Sequence, residues 1–449
     1  MQNVRVRFPP SPTGFCHVGT ARMAVLNYLF AKRYGGVIIF RSEDTDKERS
    51  KKEFEEDIIE QLHWLGLSWD EFYRDTELLG THAAALKRLI DADQAYISRE
   101  ESKKETGKEV DVVRLRNPGS SVTFTDVVRG DITFDTKELG DFVIARAIDD
   151  PLYNFSVVVN DGEEGITHVI RGEDHISNTP RQILIQEALG YARPTYAHFP
   201  LLLGTDRSKL SKRTGDVAVK NYRETGYLAP ALLNYIALLG WTPPSEREIM
   251  SLEEMAAEFD LSDLHKSGAI FDIEKLRWYN RHYISLLTPD DFRERALSSL
   301  KDSLALRELA WDAHVASKLL PLLRERVSVW SDVLEFVQAG EYDFFFAEPS
   351  LDVAKLPEKG GSAQVALRHL TAVHEMLSAA DEEMYRDAER LKNIVWDYAT
   401  SEGRGKVLWP LRYALSGREK SPDPFLIASV IGKKRVLARL AAAKILLAV

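Results

Sequence analysis

The sequence predicts an α/β protein: a parallel sheet interrupted by an inserted α+β module and followed by an all-helical C-terminal half. Three observations predict it. Strand-like and helical patterns alternate from Val4 to Leu65. That rhythm breaks over about residues 75–155 and resumes at Val169-Ile170-Arg171. From Asn221 onward the pattern is almost wholly helical. Alternating strands and helices bury a parallel sheet between helical layers, whereas a run of helices alone builds a bundle. At about 150 residues per domain, a chain of 449 residues suggests about three domains.

The elements follow in order. Val4–Phe8 reads as a short buried strand, ended by Pro9, Pro10, Pro12 and Gly14. A helix is expected over Val18–Arg33, with Ala21, Ala24, Val25, Tyr28 and Leu29 on one face and Gly35-Gly36 as its stop. Val37–Phe40 is apolar enough for a strand buried on both faces. Ser50 and Glu53 form a capping-box pattern ahead of Phe54, Ile58, Ile59, Leu62 and Leu65. In the interrupting module, Ser98–Val110 is polar, and strands are expected around Val112–Leu115, Val122–Val128 and Phe142–Ala147. Thr179 as N-cap and Pro180 in the first turn open a helix Arg181–Leu189. Val436–Val449 is apolar but short and carries Arg439 and Lys444, so it reads as the last helix of a soluble domain.

Composition excludes several classes. Hydrophobic residues at 44% and charged residues at 29% exclude global disorder. The single cysteine, Cys16, excludes an intramolecular disulfide and a cysteine-cluster zinc site, and fits a reducing cytoplasm. Met1–Arg7 alternates apolar and basic residues without an apolar run, so no secretory leader is expected, and the sequence has no run of 18 uncharged apolar residues for a membrane span. Net charge is −10. It divides unevenly: Glu402–Val449 holds ten Lys/Arg against three Asp/Glu, +7, which leaves −17 for the rest. Such asymmetry hints at an anionic partner for the C-terminal end.

Two loops carry candidate chemistry. Pro9–Thr20 joins a strand to a helix, at the place where an open parallel sheet binds ligands and a helix N-terminus attracts phosphate. Within it His17 can donate to a phosphate oxygen, and Gly19 permits close approach of a flat base. Downstream, Arg207-Ser208-Lys209-Leu210-Ser211-Lys212-Arg213-Thr214-Gly215 is dense in cations and hydroxyls suited to charge moving onto a leaving pyrophosphate.

Together these loops resemble the two signatures of class I aminoacyl-tRNA synthetases, present here as His17-Val18-Gly19-Thr20 and Lys209-Leu210-Ser211-Lys212-Arg213. With Pro10–Gly14, Arg41–Asp46, His168–His175, Asn178–Gln182, Lys275–Trp278 and Pro410–Gly417, the chain is similar to bacterial-type glutamyl-tRNA synthetases over nearly its whole length. The resemblance implies a Rossmann-type catalytic domain in two halves, 1–75 and 156–222, around an acceptor-end-binding insertion at 76–155. It further implies all-α stem-contact (223–300) and anticodon-binding (301–365 and 366–449) domains. The implied enzyme is a monomer in the cytoplasm, bound to no membrane, that uses ATP with Mg²⁺, L-glutamate and tRNA(Glu).

Residue roles follow from the resemblance. Arg7 and Arg171 would meet the glutamate carboxylates, Glu43 its ammonium, and Ser11 and Tyr153 would add polar contacts. His17, Gly19, Thr20, Asp174, His175, Lys209 and Lys212 would hold ATP, with His17, Gly19, Lys209, Ser211 and Lys212 catalytic. Arg324, Arg326, Lys433, Lys434 and Arg435 are anticodon candidates. The insertion has no cysteine and looks shortened between Tyr96 and Val112, so no zinc or other protein-held metal is expected. Asn160-Asp161 stands where relatives often have two aspartates.

Other readings stay open at this point. One is a form that also glutamylates tRNA(Gln), and another is a non-catalytic tRNA-binding paralogue, which has no reason to keep His17, Gly19 and Lys212 together. A glutaminyl enzyme would carry β-barrel anticodon domains in place of the helical half. A short tRNA-modifying paralogue or a small-molecule adenylyltransferase would lack that half altogether.

Overall fold

The computed structural model describes residues 3–46, 48–101, 107–210 and 218–448. They form two compact units, Met1–Tyr283 and Ile284–Val449.

The first unit is built on a parallel sheet. Strand β1 (Arg5–Phe8) leads into helix α1 (Val18–Tyr34), then β2 (Val37–Ser42), α2 (Lys52–Trp64) and β3 (Glu71–Arg74). β1, β2 and β3 pair in parallel, with Arg7 opposite Ile39 and Arg41 opposite Tyr73. Helix α3 (Leu79–Asp91) opens the module, whose strands are β4 (Ala95–Glu101), β5 (Glu109–Leu115), β6 (Ser121–Asp126), β7 (Gly130–Asp135), β8 (Phe142–Ala147) and β9 (Asp150–Pro151). Helix α4 (Tyr153–Glu163), β10 (His168–Gly172), α5 (Thr179–Leu189) and β11 (Thr195–Phe199) complete the parallel part. β10 lies against β1: Thr167 N–H donates to the Arg5 carbonyl at 3.0 Å, and Arg5 N–H to Thr167 Oγ1 at 2.9 Å. The hydrogen-bonded sheets β3-β2-β1 and β10-β11-β6-β7 therefore meet at β1 and β10, and the connections reverse there as in a doubly wound fold.

The module contributes to two sheets. β4, β5, β8 and β9 form an antiparallel sheet of their own. The hairpin β6–β7 instead extends the parallel sheet, β6 lying beside β11 with Asp126 opposite Tyr196. Leu86 of α3, Leu115 of β5, Phe124 of β6, Val159 of α4 and Ile183 of α5 pack in one apolar core, so module and main sheet share an interior. Burying such side chains stabilises by about 1.5–3 kcal/mol each relative to exposure.

Two short strands, β12 (Leu202–Leu203) and β13 (Ala269–Ile270), pair near the end of this unit, among helices α6 (Val219–Thr225), α7 (Ala229–Leu238) and α8 (Leu252–Glu258). Helix α9 (Ile273–Ser285) runs across the boundary. The second unit is helical: α10 (Pro289–Ala305), α11 (Ala313–Arg326), α12 (Ser331–Gln338), α13 (Asp343–Phe346), α14 (Ala363–Ala379), α15 (Ala388–Glu402), α16 (Arg404–Ser416) and α17 (Pro424–Ala448). No described helix is long and apolar enough to cross a membrane.

Several local expectations are corrected. Ser50 does not cap α2: its Oγ has no hydrogen-bond partner, and Lys51 is the N-cap. The Lys51 N–H donates to the Pro12 carbonyl at 3.0 Å, which ties the helix entry to the first loop. Helix α5 starts at Thr179 after Asn178, so Thr179 is inside the helix and its hydroxyl serves another partner described below. α1 is buried nearly all round, Arg22 and Asn27 included, while Tyr28 is only half-buried. The final helix begins twelve residues earlier than Val436 and turns sharply at Gly432, whose φ of 79° requires glycine.

Candidate active site

Four elements converge on the carboxyl ends of the central strands. Arg7 sits near the end of β1, Arg41 and Ser42 close β2, and Glu43 follows at once. Arg171 stands at the end of β10, and α4 supplies Asp161 and the following Glu164. This is the reversal point of the sheet, where a crevice is left between strands that diverge to opposite faces.

The ion pairs are buried and unequal. Arg7 Nε donates to Asp161 Oδ1 at 3.1 Å, and Arg41 Nη2 donates to the same oxygen at 2.9 Å. Arg41 Nη1 reaches Glu164 Oε2 at 2.6 Å, whereas its approach to Glu43 is 3.7 Å, too long for a hydrogen bond. Burial alone would lower the Arg41 guanidinium, but Asp161, Glu164 and Glu43 raise it further above its ordinary range. Burial opposes ionisation of Asp161, yet Arg7 and Arg41 hold its carboxyl below the usual range. Glu43 is the group left over. Burial pushes its carboxyl up to about 8, Arg41 opposing and Asp75 assisting. Burial, eased by Tyr153, lowers Arg171.

Arg7 Nη1, Arg171 Nη1 and Glu43 Oε1 are buried without a hydrogen-bond partner, as are Arg41 Nε, Ser42 Oγ and Glu164 Oε1 on the residues around them. Buried polar groups are nearly always paired, so such atoms mark places for ligand groups. Two N–H donors on cations and one carboxyl oxygen complement a small molecule with anionic groups and an ammonium. Tyr153, over a third exposed at 37%, donates through Oη to His175 Nδ1 at 3.2 Å. Burial and then Arg171 push His175 down to about 4, so its ring is neutral and can accept that bond. Ser11 is exposed in the first loop, its carbonyl accepting from Thr13 N–H at 2.8 Å.

The first signature opens α1. His17 is its N-cap, with Nδ1 accepting from Gly19 N–H at 2.9 Å, and Thr20 follows half-buried in the first turn. A Cβ on Gly19 would lie 2.7 Å from His17 Cε1, so glycine is needed for the ring to lie over the backbone. His17→Ala is expected to cost about 1 kcal/mol through loss of this cap, read from denaturant melts. An unchanged midpoint would remove the cap from the account. Cys16 beside it is buried, its N–H on Asp57 Oδ2 at 2.7 Å, and burial raises its thiol far above the range of a nucleophile.

For the second signature, Lys209 is exposed and pairs with Asp174 at 3.3 Å. Leu210 N–H donates to Leu202 C=O, which anchors the chain on β12. Ser211 and Lys212 lie outside the described residues. The chain at Ala218 bridges to His17, and Val219 N–H donates to Cys16 C=O at 2.8 Å. Both flanks of the second signature are thus tied to structure around the first or to the adjoining strand.

Beyond Arg41 and Glu164, sequence reasoning missed four further members of this site. Asp126 and His198 support Arg171 from behind, and Thr179 Oγ1 accepts from Arg171 Nη2 at 2.9 Å. Asp161 bridges Arg7 and Arg41. Asn160 also gains a role. Its Nδ2 donates to Asp75 Oδ1 at 2.5 Å and its Oδ1 pairs with His82 Nε2 at 2.6 Å, a buried contact that links α3 to α4. An aspartate there would face Asp75 as a second carboxylate.

The second unit holds the remaining candidates. Arg324 Nη2 donates to the carbonyls of Ser285 and Leu287 and its guanidinium lies over Phe292. Arg326 pairs with Glu341 at 2.6 Å over the Phe336 ring. Lys433 Nζ donates to the Ala380 carbonyl and Arg435 Nη1 to that of Phe345, while Lys434 is exposed. Arg439 is buried, with partners Glu348, Leu415 C=O and Ala347 C=O.

Comparison with known proteins places the whole chain. The family model described as "tRNA synthetases class I (E and Q), catalytic domain" matches residues 3–104 and 97–278, and one described as "Anticodon binding domain" matches 291–444. The glutamate–tRNA ligase of Aquifex aeolicus is 39% identical, with 98% of each chain covered. That of Desulforamulus reducens is 38% identical, covering 98% of this chain and 99% of its own. The crystal structure of a glutamate tRNA ligase from Elizabethkingia meningosepticum in complex with its amino acid superposes with a TM-score of 0.85 at 30% identity, covering 99% of both chains.

Proposed function

The chain belongs to the glutamate–tRNA ligases, within the class I tRNA synthetases, and on that premise we propose how its own residues carry the reaction. A glutamate α-carboxylate oxygen attacks the α-phosphorus of ATP, the bond to the bridging oxygen breaks, and pyrophosphate leaves. A ribose hydroxyl of the terminal adenosine of tRNA(Glu) then attacks the activated carbonyl, and AMP leaves. No covalent enzyme intermediate is needed, so positioning and charge stabilisation do the catalytic work.

The unpartnered Arg7 Nη1, Arg171 Nη1 and Glu43 Oε1 carry this reading. Arg7 and Arg171 supply cations for the carboxylates of glutamate and Glu43 an anion for its ammonium, with Tyr153 and Ser11 as polar neighbours. Glutamine, with an amide at its end, would leave one guanidinium facing a neutral group; a site built for a charge rejects such an analogue strongly. His17, Gly19, Thr20, Asp174, His175 and Lys209 flank the place for ATP, and Ser211 and Lys212 belong to the same signature. Mg²⁺ would come with ATP, held by phosphate oxygens and water. The segments after the second signature serve tRNA: 223–300 contacts the stem, and 301–365 and 366–449 read the anticodon. Of the named cations there, Lys434 is the one exposed to solvent with no bond described, so it is the first choice for phosphate contact.

A charging assay with purified tRNA(Glu) and tRNA(Gln), glutamate and glutamine tests this. Glutamate on tRNA(Glu) is expected, and no glutamine on either; charging of tRNA(Gln) with glutamate would mark the broader specificity. Failure to charge tRNA(Glu) would overturn the reading. With Cys16 as the sole and buried cysteine, metal analysis of the purified protein is expected to find no stoichiometric zinc. One equivalent that survives dialysis would contradict it.

A further inference from the structure

We propose that Asp126 and His198 are positioning residues for Arg171: the pair holds a neutral imidazole behind the guanidinium, which aims Nη1 at the substrate carboxylate and leaves its charge unspent. The inference rests on the reading of Arg171 as a glutamate-binding residue.

Hydrogen-bond polarity determines the tautomer. Arg171 Nε carries a hydrogen and can only donate, and it lies 3.1 Å from His198 Nε2. Nε2 must therefore offer its lone pair. The ring proton then sits on Nδ1, which donates to Asp126 Oδ2 at 2.6 Å. Asp126 is oriented in turn by backbone: Oδ1 accepts from Val128 N–H at 3.0 Å and Arg129 N–H at 2.9 Å, and Oδ2 from His198 N–H at 3.1 Å. His198 is fully buried, and its ring cannot turn over without losing both partners.

The arrangement leaves Arg171 with one edge held and one nitrogen presented. Nε is on His198, Nη2 is on Thr179 Oγ1, and Nη1 has no protein partner. A carboxylate placed directly on that edge would have bound the guanidinium as a fork and competed with the substrate for its charge. Here the acid stands one residue further back and a neutral ring transmits its orientation. The fold explains why this was possible: β6, although part of the inserted module, lies beside β11 in the main sheet, which carries Asp126 to His198 across 72 positions of sequence.

Asparagine and glutamine at position 198 separate the two halves of the device. His198→Asn keeps a donor near Asp126 but has no atom at the Nε2 position. His198→Gln can place an oxygen there for Arg171 to donate to. In tRNA charging by the full-length protein, His198→Asn is expected to raise the KM for glutamate about tenfold, His198→Gln at most about threefold, and neither to move the KM for ATP more than about twofold. Asp126→Asn provides a second arm. The two backbone N–H groups at Oδ1 orient the amide so that its NH₂ meets His198 Nδ1, which transfers the ring hydrogen to Nε2 and sets it against Arg171. It is expected to match His198→Asn. Equal glutamate KM values for the two His198 variants, or a parallel rise in the ATP KM, would overturn the proposal. Arg171→Lys in the same assay tests the underlying reading: an unchanged glutamate KM there removes Arg171 from the pocket. A raised one, with both His198 variants unaffected, removes only the positioning pair.

Discussion

Replacing Asp161 by alanine is expected to destabilise the catalytic unit by ~3–5 kcal/mol, the usual cost of removing one partner of a buried ion pair. The reason is the imbalance that remains. Arg41 keeps Glu164 at 2.6 Å, but Arg7, 1% exposed, has only Asp161 as its salt-bridge partner among the described residues. Its guanidinium would be left buried without an acceptor, which costs far more than an exposed pair would. A thermal melt should show a fall of roughly 6–20 °C in the transition of that unit. Asp161→Asn tests charge against shape, because the amide still fills the space and can accept one bond. It should recover part of the stability but not the glutamate KM, since Arg7 and Arg41 would no longer be held by a common carboxylate. A loss under about 1 kcal/mol for Asp161→Ala would mean that Arg7 does not depend on Asp161.

What the sequence revealed and what it hid divide along a physical line. Strands such as Val37–Phe40 were legible because burial on both faces leaves a run of apolar side chains. The two signatures were legible because their chemistry sits in a few consecutive residues. Contacts that close over long separations were not. Asp126 and His198 are ordinary in their own segments and acquire meaning only when β6 docks beside β11. Thr179 shows the same limit at short range: beside Pro180 it looks like a helix cap, yet its hydroxyl is claimed by Arg171 eight residues back. Ser50 is not the cap, and the helix entry is tied instead to the Pro12 carbonyl through Lys51 N–H, a partner no local pattern displays.

Charge counting was misleading in a related way. The +7 of Glu402–Val449 suggested an anion-facing surface, but a cation can serve the fold as well as a ligand. Arg439 is buried among carbonyls and Glu348, and Lys433 and Arg435 each hold a carbonyl of another segment. Arg324 and Arg326 behave alike, each over an aromatic ring with its donors on protein oxygens. Density of positive charge therefore overstates the positive charge available to tRNA, and exposure is the quantity that separates the two uses.

The second large effect is the dependence of glutamate binding on Glu43 and on pH. In the ligand-free protein, burial holds this carboxyl at about 8 against an ordinary 4.5, so at neutral pH most molecules carry it protonated. The folded state then binds a proton that the unfolded chain has lost. Stability on this account is greatest below about 4.5 and falls until pH passes about 8. An incoming ammonium reverses the balance, because it favours the carboxylate and the proton leaves. The KM for glutamate should therefore fall about tenfold per unit between pH 6 and 7 and level off above pH 8. Glu43→Gln cannot ionise. Its KM should be about 10²-fold above the parent at pH 8.5, converge on it toward pH 6, and show no comparable slope. A parent KM that is flat from pH 6 to 8 would separate Glu43 from the ammonium. So would a Glu43→Gln profile parallel to the parent's, since the slope would then belong to another group. Asp161 offers a cross-check, because its charge helps hold Glu43 up. In Asp161→Asn the levelling-off should move to lower pH, so these two carboxylates are expected to be non-additive in any double variant.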